Sequence, residues 1–251
     1  MLTANEAVAR LLSEKGIPCV YRVHEPPPPE KLFDFCTFAR TLGFNVSALL
    51  SGDVSSKSFA NLLSAAEEKG LALPVSYTML RSMAKAKYSE KRLSHCGLGL
   101  DYYCHFTSPI RRLSDLATHR IISKVLIEGK RSELYASYAK RAASAASECE
   151  LRALGAERRI ENLYKVIYMS KNIGKEYDAI ITGVSSFGFF AELQNTCEGL
   201  VPLSELDGFY VFEEKALKLR SSRRSFSIGD SVRVRLEEAD VIRGKLRFSV
   251  V

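Results

Sequence analysis

No run of about 18 consecutive apolar residues occurs in the 251-residue chain, which excludes an uninterrupted hydrophobic helical span. The opening MLTANEAVARLLSEKG interleaves charged with apolar side chains where a secretory signal would carry an apolar block. Six cysteines (Cys19, Cys36, Cys96, Cys104, Cys149 and Cys197) lie scattered without paired spacing, so the sequence is not written as a disulfide framework. His95, Cys96, Cys104 and His105 stand near one another but lack the two-residue spacings with which one turn presents two ligands to a tetrahedral metal; they are not read as a zinc site. These absences predict a soluble, non-exported, cytoplasmic chain with no membrane partner. What is present is ordinary for a globular protein, 46% hydrophobic and 26% charged residues, a balance that excludes disorder as the dominant state.

The net charge is +7 and unevenly placed: residues 215–247 hold ten Lys or Arg against four Asp or Glu. Such a stretch is either a solvated face or the electrostatic footprint of a phosphate-backbone partner, and charge alone leaves both open.

Periodicity divides the chain. Ala4, Ala7, Val8, Leu11 and Leu12 predict a helix stopped by Gly16 and Pro18. Thr3 and Glu6 have capping-box spacing, though they could equally sit inside a longer helix. After the extended YRVHEPPPPEKL a second helix is expected from Glu30 to Thr41, ending at Gly43, and the serine-rich residues 45–58 read as a loop. Helical spacing resumes over 59–87, broken near Gly70 and Pro74, until GLGLDYYCHFTSP interrupts it. The next helix is expected to be capped by Thr107 or Ser108, with Pro109 in its first turn. Its expected buried stripe is Ile110, Leu113, Ala117, Ile121 and Val125, before Gly129. Residues 133–170 are alanine-rich with helical spacing.

Near Asn172 the period changes from 3.6 to 2. Tyr177, Ala179 and Ile181 alternate with polar neighbours, GFFAEL and GLVPL follow, and Val232, Val234 and Leu236 lead into a hairpin turning at Arg243 and Gly244. Short strands and glycine turns fit a small barrel of the OB type. The expected fold class is α+β: a mostly helical segment over 1–171, then an all-β barrel over 172–251.

The strongest local signal is His105-Phe106-Thr107-Ser108-Pro109-Ile110-Arg111-Arg112, a helix start directly after aromatic residues. Free amides at a helix N-terminus attract an anion, and the planar Arg111 fork can grip phosphate oxygens in two places. Arg111, Asp115 and His119 also climb at i, i+4 and i+8, which reads as a surface ion-pair ladder. Both readings stand on spacing alone.

The run GLGLDYYCHFTSPIRRLSDLATHR resembles the signature of the ribonuclease II and ribonuclease R superfamily, hydrolytic 3′-to-5′ exoribonucleases with an RNB catalytic domain. MLTANEAVARLL, YRVHEPPPPEKL, LRSMAKAKYS and Ala156-Glu157-Arg158 resemble further parts of that domain in the same order. Residues 175–251, through GVSSFGFFAEL, EGLVPLSEL and RGKLRFS, resemble its C-terminal S1 RNA-binding domain.

The resemblance implies hydrolysis of single-stranded RNA to nucleoside 5′-monophosphates. It assigns Arg111 a catalytic place at the phosphate near the scissile bond. Tyr103, His105 and Arg112 fall in the RNA-binding motif around it, and Arg247 lies in RGKLRFS. Phe187 and Phe190 match positions on which the barrel stacks bases, an interaction of about 1 to 3 kcal/mol per base. For Phe190 a place in the barrel core is an equal alternative, whereas Phe187, after Ser185-Ser186, is expected to be exposed. Three positions depart from the pattern: Pro202 stands where a histidine is common, Leu113 where an aromatic is usual, and Cys96 in place of a phenylalanine.

The family holds catalytic magnesium on closely spaced aspartates. Here no two aspartates lie closer than ten residues, and none of Asp34, Asp53, Asp101 or Asp115 matches that motif. The expectation is that the magnesium ligands are not in this chain, that Met1 corresponds to an internal methionine of the RNB domain, and that an upstream RNB half supplies the metal site. The alternative is a non-catalytic RNA-binding protein.

Overall fold

The computed structural model describes all of residues 1–251. In chain order its first elements are α1 (Leu2–Glu14), β1 (Tyr21–Val23), α2 (Pro29–Thr41), α3 (Ser47–Leu50), α4 (Ser56–Glu68), α5 (Ala72–Ser82), β2 (Lys87–Ser89), α6 (Leu113–Ile122) and α7 (Ala136–Ser170). The all-β part follows as β3 (Glu176–Ser185), β4 (Gly188–Leu193), β5 (Glu198–Pro202), β6 (Val211–Glu213), β7 (Lys218–Arg220), β8 (Ser225–Ser227), β9 (Ser231–Asp240) and β10 (Lys245–Val250). No helix is long and apolar enough to cross a membrane. Two compact units form: one from residues 1–28, 53–59 and 83–154, the other from residues 29–52, 60–82 and 155–251.

In the first unit, Ala9 and Leu12 of α1, Val20 and Val23 around β1, Ala117 and Ile121 of α6, and Ala139 and Ala143 of α7 share one core. β1 and β2 pair antiparallel, Arg22 opposite Tyr88. The helix expected at the N-terminus is there, but its buried face is Asn5, Ala9 and Leu12, while Leu11 is exposed. Asn5 turns inward because both ends of its carboxamide find partners: Nδ2 donates to the Tyr103 hydroxyl at 3.2 Å, and Oδ1 accepts the Phe106 N–H at 3.1 Å. Thr3 and Glu6 form no capping box; no side chain caps this helix, and Glu6 pairs with Arg10 at 2.8 Å.

Residues 45–58, expected as a loop, contain α3 and the start of α4. The Asn45 carboxamide accepts the Ser47 N–H at 3.0 Å, and Ser55 Oγ accepts the Ser58 N–H at 3.2 Å. Short polar side chains that read as loop-formers here open helices.

The largest correction concerns α6, which begins at Leu113 and not at Pro109. Residues 108–112 form a turn, with the N–H groups of Arg111 and Arg112 both directed at the Ser108 carbonyl. Asp115 holds that turn from inside the helix. Its Oδ1 accepts the Ser108 N–H and an Arg112 Nη2–H, each at 2.8 Å, and Oδ2 accepts from Ser114 Oγ at 3.0 Å. Ile110 is therefore 98% exposed, not part of a buried stripe, and Leu113 is exposed as well; Ala117 and Ile121 are buried as expected. Neither Thr107 nor Ser108 caps α6 by its side chain.

In the second unit β10, β5, β4, β3 and β9 close into a barrel, antiparallel except where β10 meets β5. Ala179, Ile181, Phe189, Ala191, Val201, Val232, Val234, Leu236, Leu246 and Phe248 fill it, the inward halves of alternating strands. Gly199 is required by closure: a Cβ there would overlap the Phe248 ring. The expected hairpin turns at Arg243 and Gly244, with Asp240 accepting the Arg243 N–H at 2.9 Å. A three-stranded sheet, β6-β7-β8, is inserted before β9.

Candidate nucleic-acid interface

The predicted residues fall into two sets, one in each unit: Tyr103, His105, Arg111 and Arg112 in the first, Phe187, Phe190 and Arg247 in the second.

In the first set only Arg111 offers a free cation. It is exposed, and its guanidinium has neither an ion pair nor a hydrogen bond. The ion-pair ladder read from Arg111, Asp115 and His119 is not formed. Asp115, fully buried, belongs to Arg112, and His119 bonds the Phe106 carbonyl at 2.8 Å and stacks on the Phe106 ring at 4.1 Å. Arg112, also expected at the RNA, is placed differently from Arg111. Its guanidinium is committed to Asp115 and its Nε is buried without a partner, so it braces the turn that presents Arg111.

Tyr103 is buried, and its ring lies edge-on between His95 at 5.4 Å and His105 at 5.6 Å, so it supports its neighbours and offers no exposed face. His105 Nδ1 and the Tyr88 hydroxyl are hydrogen-bonded at 2.9 Å. Burial, with Arg112 nearby, pushes the His105 imidazole down to about 4, and burial beside His24 does the same for His95. Both rings are therefore neutral near pH 7 and supply hydrogen bonds, not charge. Arg22 lies 4.6 Å from the Tyr88 ring centre and pairs with Glu150 at 2.6 Å. The partners of Asn5, Tyr88 and Arg22 are remote along the chain, so no local pattern assigns these side chains a role.

In the second set Phe189 is fully buried in the barrel. That settles the alternative for Phe190, which alternates with it along β4, points outward and is half-buried. Phe187 is 55% exposed, and the two rings meet edge to face at 6.2 Å. Two aromatic faces thus stand on the outer surface of a barrel. Arg247, expected at the RNA, divides its guanidinium between Glu205 at 2.7 Å and Glu238 at 3.0 Å. Of the departures from the family pattern, Leu113 is exposed, Pro202 ends β5, and the Cys96 thiol donates to the Val54 carbonyl.

The residues present do not fit a magnesium site. No three His, Cys, Asp or Glu side chains group where they could hold a metal ion; Asp115 is consumed by the Ser108–Arg112 turn, and Asp53 accepts from Ser58 Oγ at 2.6 Å. No chemical step is routed through a metal on this chain.

The RNB domain family matches residues 1–128, and the S1 RNA binding domain matches residues 170–251. Ribonuclease R of Aquifex aeolicus is 40% identical over 256 residues, covering 100% of this chain and 36% of that protein. Ribonuclease R 1 of Lactococcus lactis is 37% identical over 255 residues, covering 99% of this chain and 31% of that protein. The chain spans about a third of the length of these relatives. Among solved structures, the apo form of Mycoplasma genitalium RNase R superposes with a TM-score of 0.89 at 28% identity, covering 100% of this chain and 40% of that one. The same enzyme in complex with ribose-methylated single-stranded RNA gives 0.88 at the same identity and coverage.

Proposed function

Since the chain belongs to the RNB domain family, we propose that it is the RNA-holding portion of a ribonuclease R-like 3′-to-5′ exoribonuclease that hydrolyses RNA to nucleoside 5′-monophosphates. Residues 172–251 grip single-stranded RNA with little base preference, because every base offers a π-face to Phe187 and Phe190. The observation that carries this reading is that aromatic pair, displayed outside the barrel while Phe189 beside it fills the core. Arg111, free and exposed on a turn fixed by Asp115 and Arg112, stabilises charge on the phosphate. Magnesium, the family's ion, is supplied with its ligands by an upstream RNB half acting as partner. The unpaired thiols of all six cysteines support a cytoplasmic setting.

Titration of the chain with labelled single-stranded RNA at several salt concentrations tests the binding. Log K is expected to fall linearly with log salt by about 0.7 per phosphate contacted, and Phe187→Ala with Phe190→Ala is expected to weaken binding at every salt concentration. Salt-independent binding, or none at low salt, contradicts the reading. A second reading, a non-catalytic RNA-binding protein, is favoured by one observation: no group of metal ligands assembles in the chain. Nucleotide release in the presence of the upstream half separates the two.

A further inference from the structure

The barrel's aromatic pair has a neighbour that the barrel sequence does not supply. Gly183 of β3 sits opposite Phe190 in the β3–β4 ladder and is covered. A Cβ built on Gly183 would stand 3.5 Å from Phe190 Cδ2 and 3.6 and 3.8 Å from Nη1 and Nη2 of Arg81. Arg81 comes from the last turn of α5, far from residues 170–251 in sequence, yet its guanidinium lies across the same point of the barrel as the Phe190 ring. It is exposed and makes no ion pair or hydrogen bond.

Arg81 also lines a cleft of about 500 Å³ with Lys31 and Phe33 of α2 and with Lys215. Neither lysine forms an ion pair. Two carboxylates, Asp34 and Glu214, share the lining and leave it one positive charge in excess. A planar fork beside two aromatic faces, followed by two ammonium groups that form no ion pair, is the chemistry of a nucleic-acid backbone track: stacking holds bases, the fork holds a phosphate in two places, and the lysines hold later phosphates as point charges.

We propose that Arg81 is an RNA-binding residue. It holds the phosphate of a nucleotide stacked on Phe187 and Phe190 and directs the single strand into the cleft past Lys31 and Lys215. The proposal rests on the reading of the barrel as an RNA-binding surface.

The test is fluorescence anisotropy of the full chain with labelled oligouridylates of about six and about twelve nucleotides across a range of salt. Arg81→Ala is expected to weaken binding of the longer probe about tenfold, the size of one charge-assisted contact, and to flatten the log K against log salt slope by about 0.7. Arg81→Lys keeps the slope and recovers only part of the affinity, because a point charge cannot bind bidentately. The Lys31→Ala, Lys215→Ala double variant is expected to weaken the longer probe and leave the shorter unchanged. Thermal unfolding of Arg81→Ala is expected to match the parent, since the side chain is exposed and unpaired. If Phe187→Ala with Phe190→Ala abolishes binding while Arg81→Ala binds with parental affinity and slope, this proposal is overturned and the barrel reading stands. If the parent chain binds neither probe at low salt, both fall.

Discussion

Asp115 shows how one buried carboxylate decides what a neighbouring cation can do. Its two oxygens serve the Ser108 amide, the Arg112 guanidinium and the Ser114 hydroxyl, and none of the carboxylate is exposed. Removing it strands a largely covered guanidinium and an amide. Asp115→Ala is therefore expected to destabilise the fold by about 3 kcal/mol or more, read as a lower urea midpoint. A midpoint within error of the parent would mean that the turn holds itself and that Arg111 is not positioned by this pair. The two neutral imidazoles make a second prediction at this scale. His95 and His105 titrate at about 4 in the folded chain because burial disfavours their cations, against roughly 6.5 in the unfolded chain. Between those values the unfolded chain binds protons that the folded chain does not. Their contribution is thus complete above about pH 6.5 and is lost as pH falls toward 4. The urea midpoint is expected to drop between pH 6.5 and pH 5, before most carboxylates titrate, and to drop less in His105→Gln. A flat midpoint over that window would contradict the burial of these rings.

At the scale of elements, what could be read from the sequence followed the reach of the interactions. The barrel's inward residues repeat every second position, so Val232, Val234 and Leu236 announced β9 from local pattern alone, and the alanine-rich run announced α7. The start of α6 could not be read this way. Pro109 is a good first-turn residue, but the helix start is moved to Leu113 by Asp115 reaching back seven residues, a contact without a periodic signature. The same holds for the candidate site: Phe187 was legible from its flanking serines, whereas the neutralisation of Arg247 by Glu205, 42 residues away, was not. Arg81 lies within LRSMAKAKYS, yet its approach to Gly183 and Phe190, about a hundred residues on, has no local signature. The β3–β4 turn gives the prediction for this scale. Gly188 has φ +147°, and a Cβ there would overlap the Val201 carbonyl, so Gly188→Ala is expected to destabilise the barrel by about 2 kcal/mol or more. Gly183→Ala, whose Cβ would meet only ordinary van der Waals neighbours, is expected to change the urea midpoint little. Equal effects of the two substitutions would show that the turn geometry is not what requires Gly188.

At the scale of the whole molecule, the chain gathers its cations and aromatic rings but not its carboxylates. Its excess positive charge gathers in residues 215–247, its aromatic pair faces outward, and its carboxylates are dispersed or committed to structural pairs. Hydrolysis needs the attacking water and the departing oxygen both stabilised, and an arginine supplies only its own share of that stabilisation. The most direct test follows 3′-directed release of nucleotide from end-labelled single-stranded RNA with magnesium. One reaction contains this chain alone, and the other also contains a separately expressed upstream RNB half of a relative such as Aquifex aeolicus ribonuclease R. Binding without release is expected for the chain alone, with release appearing when the upstream half is added and falling steeply in Arg111→Lys. Magnesium-dependent, 3′-directed release by this chain alone would contradict the account.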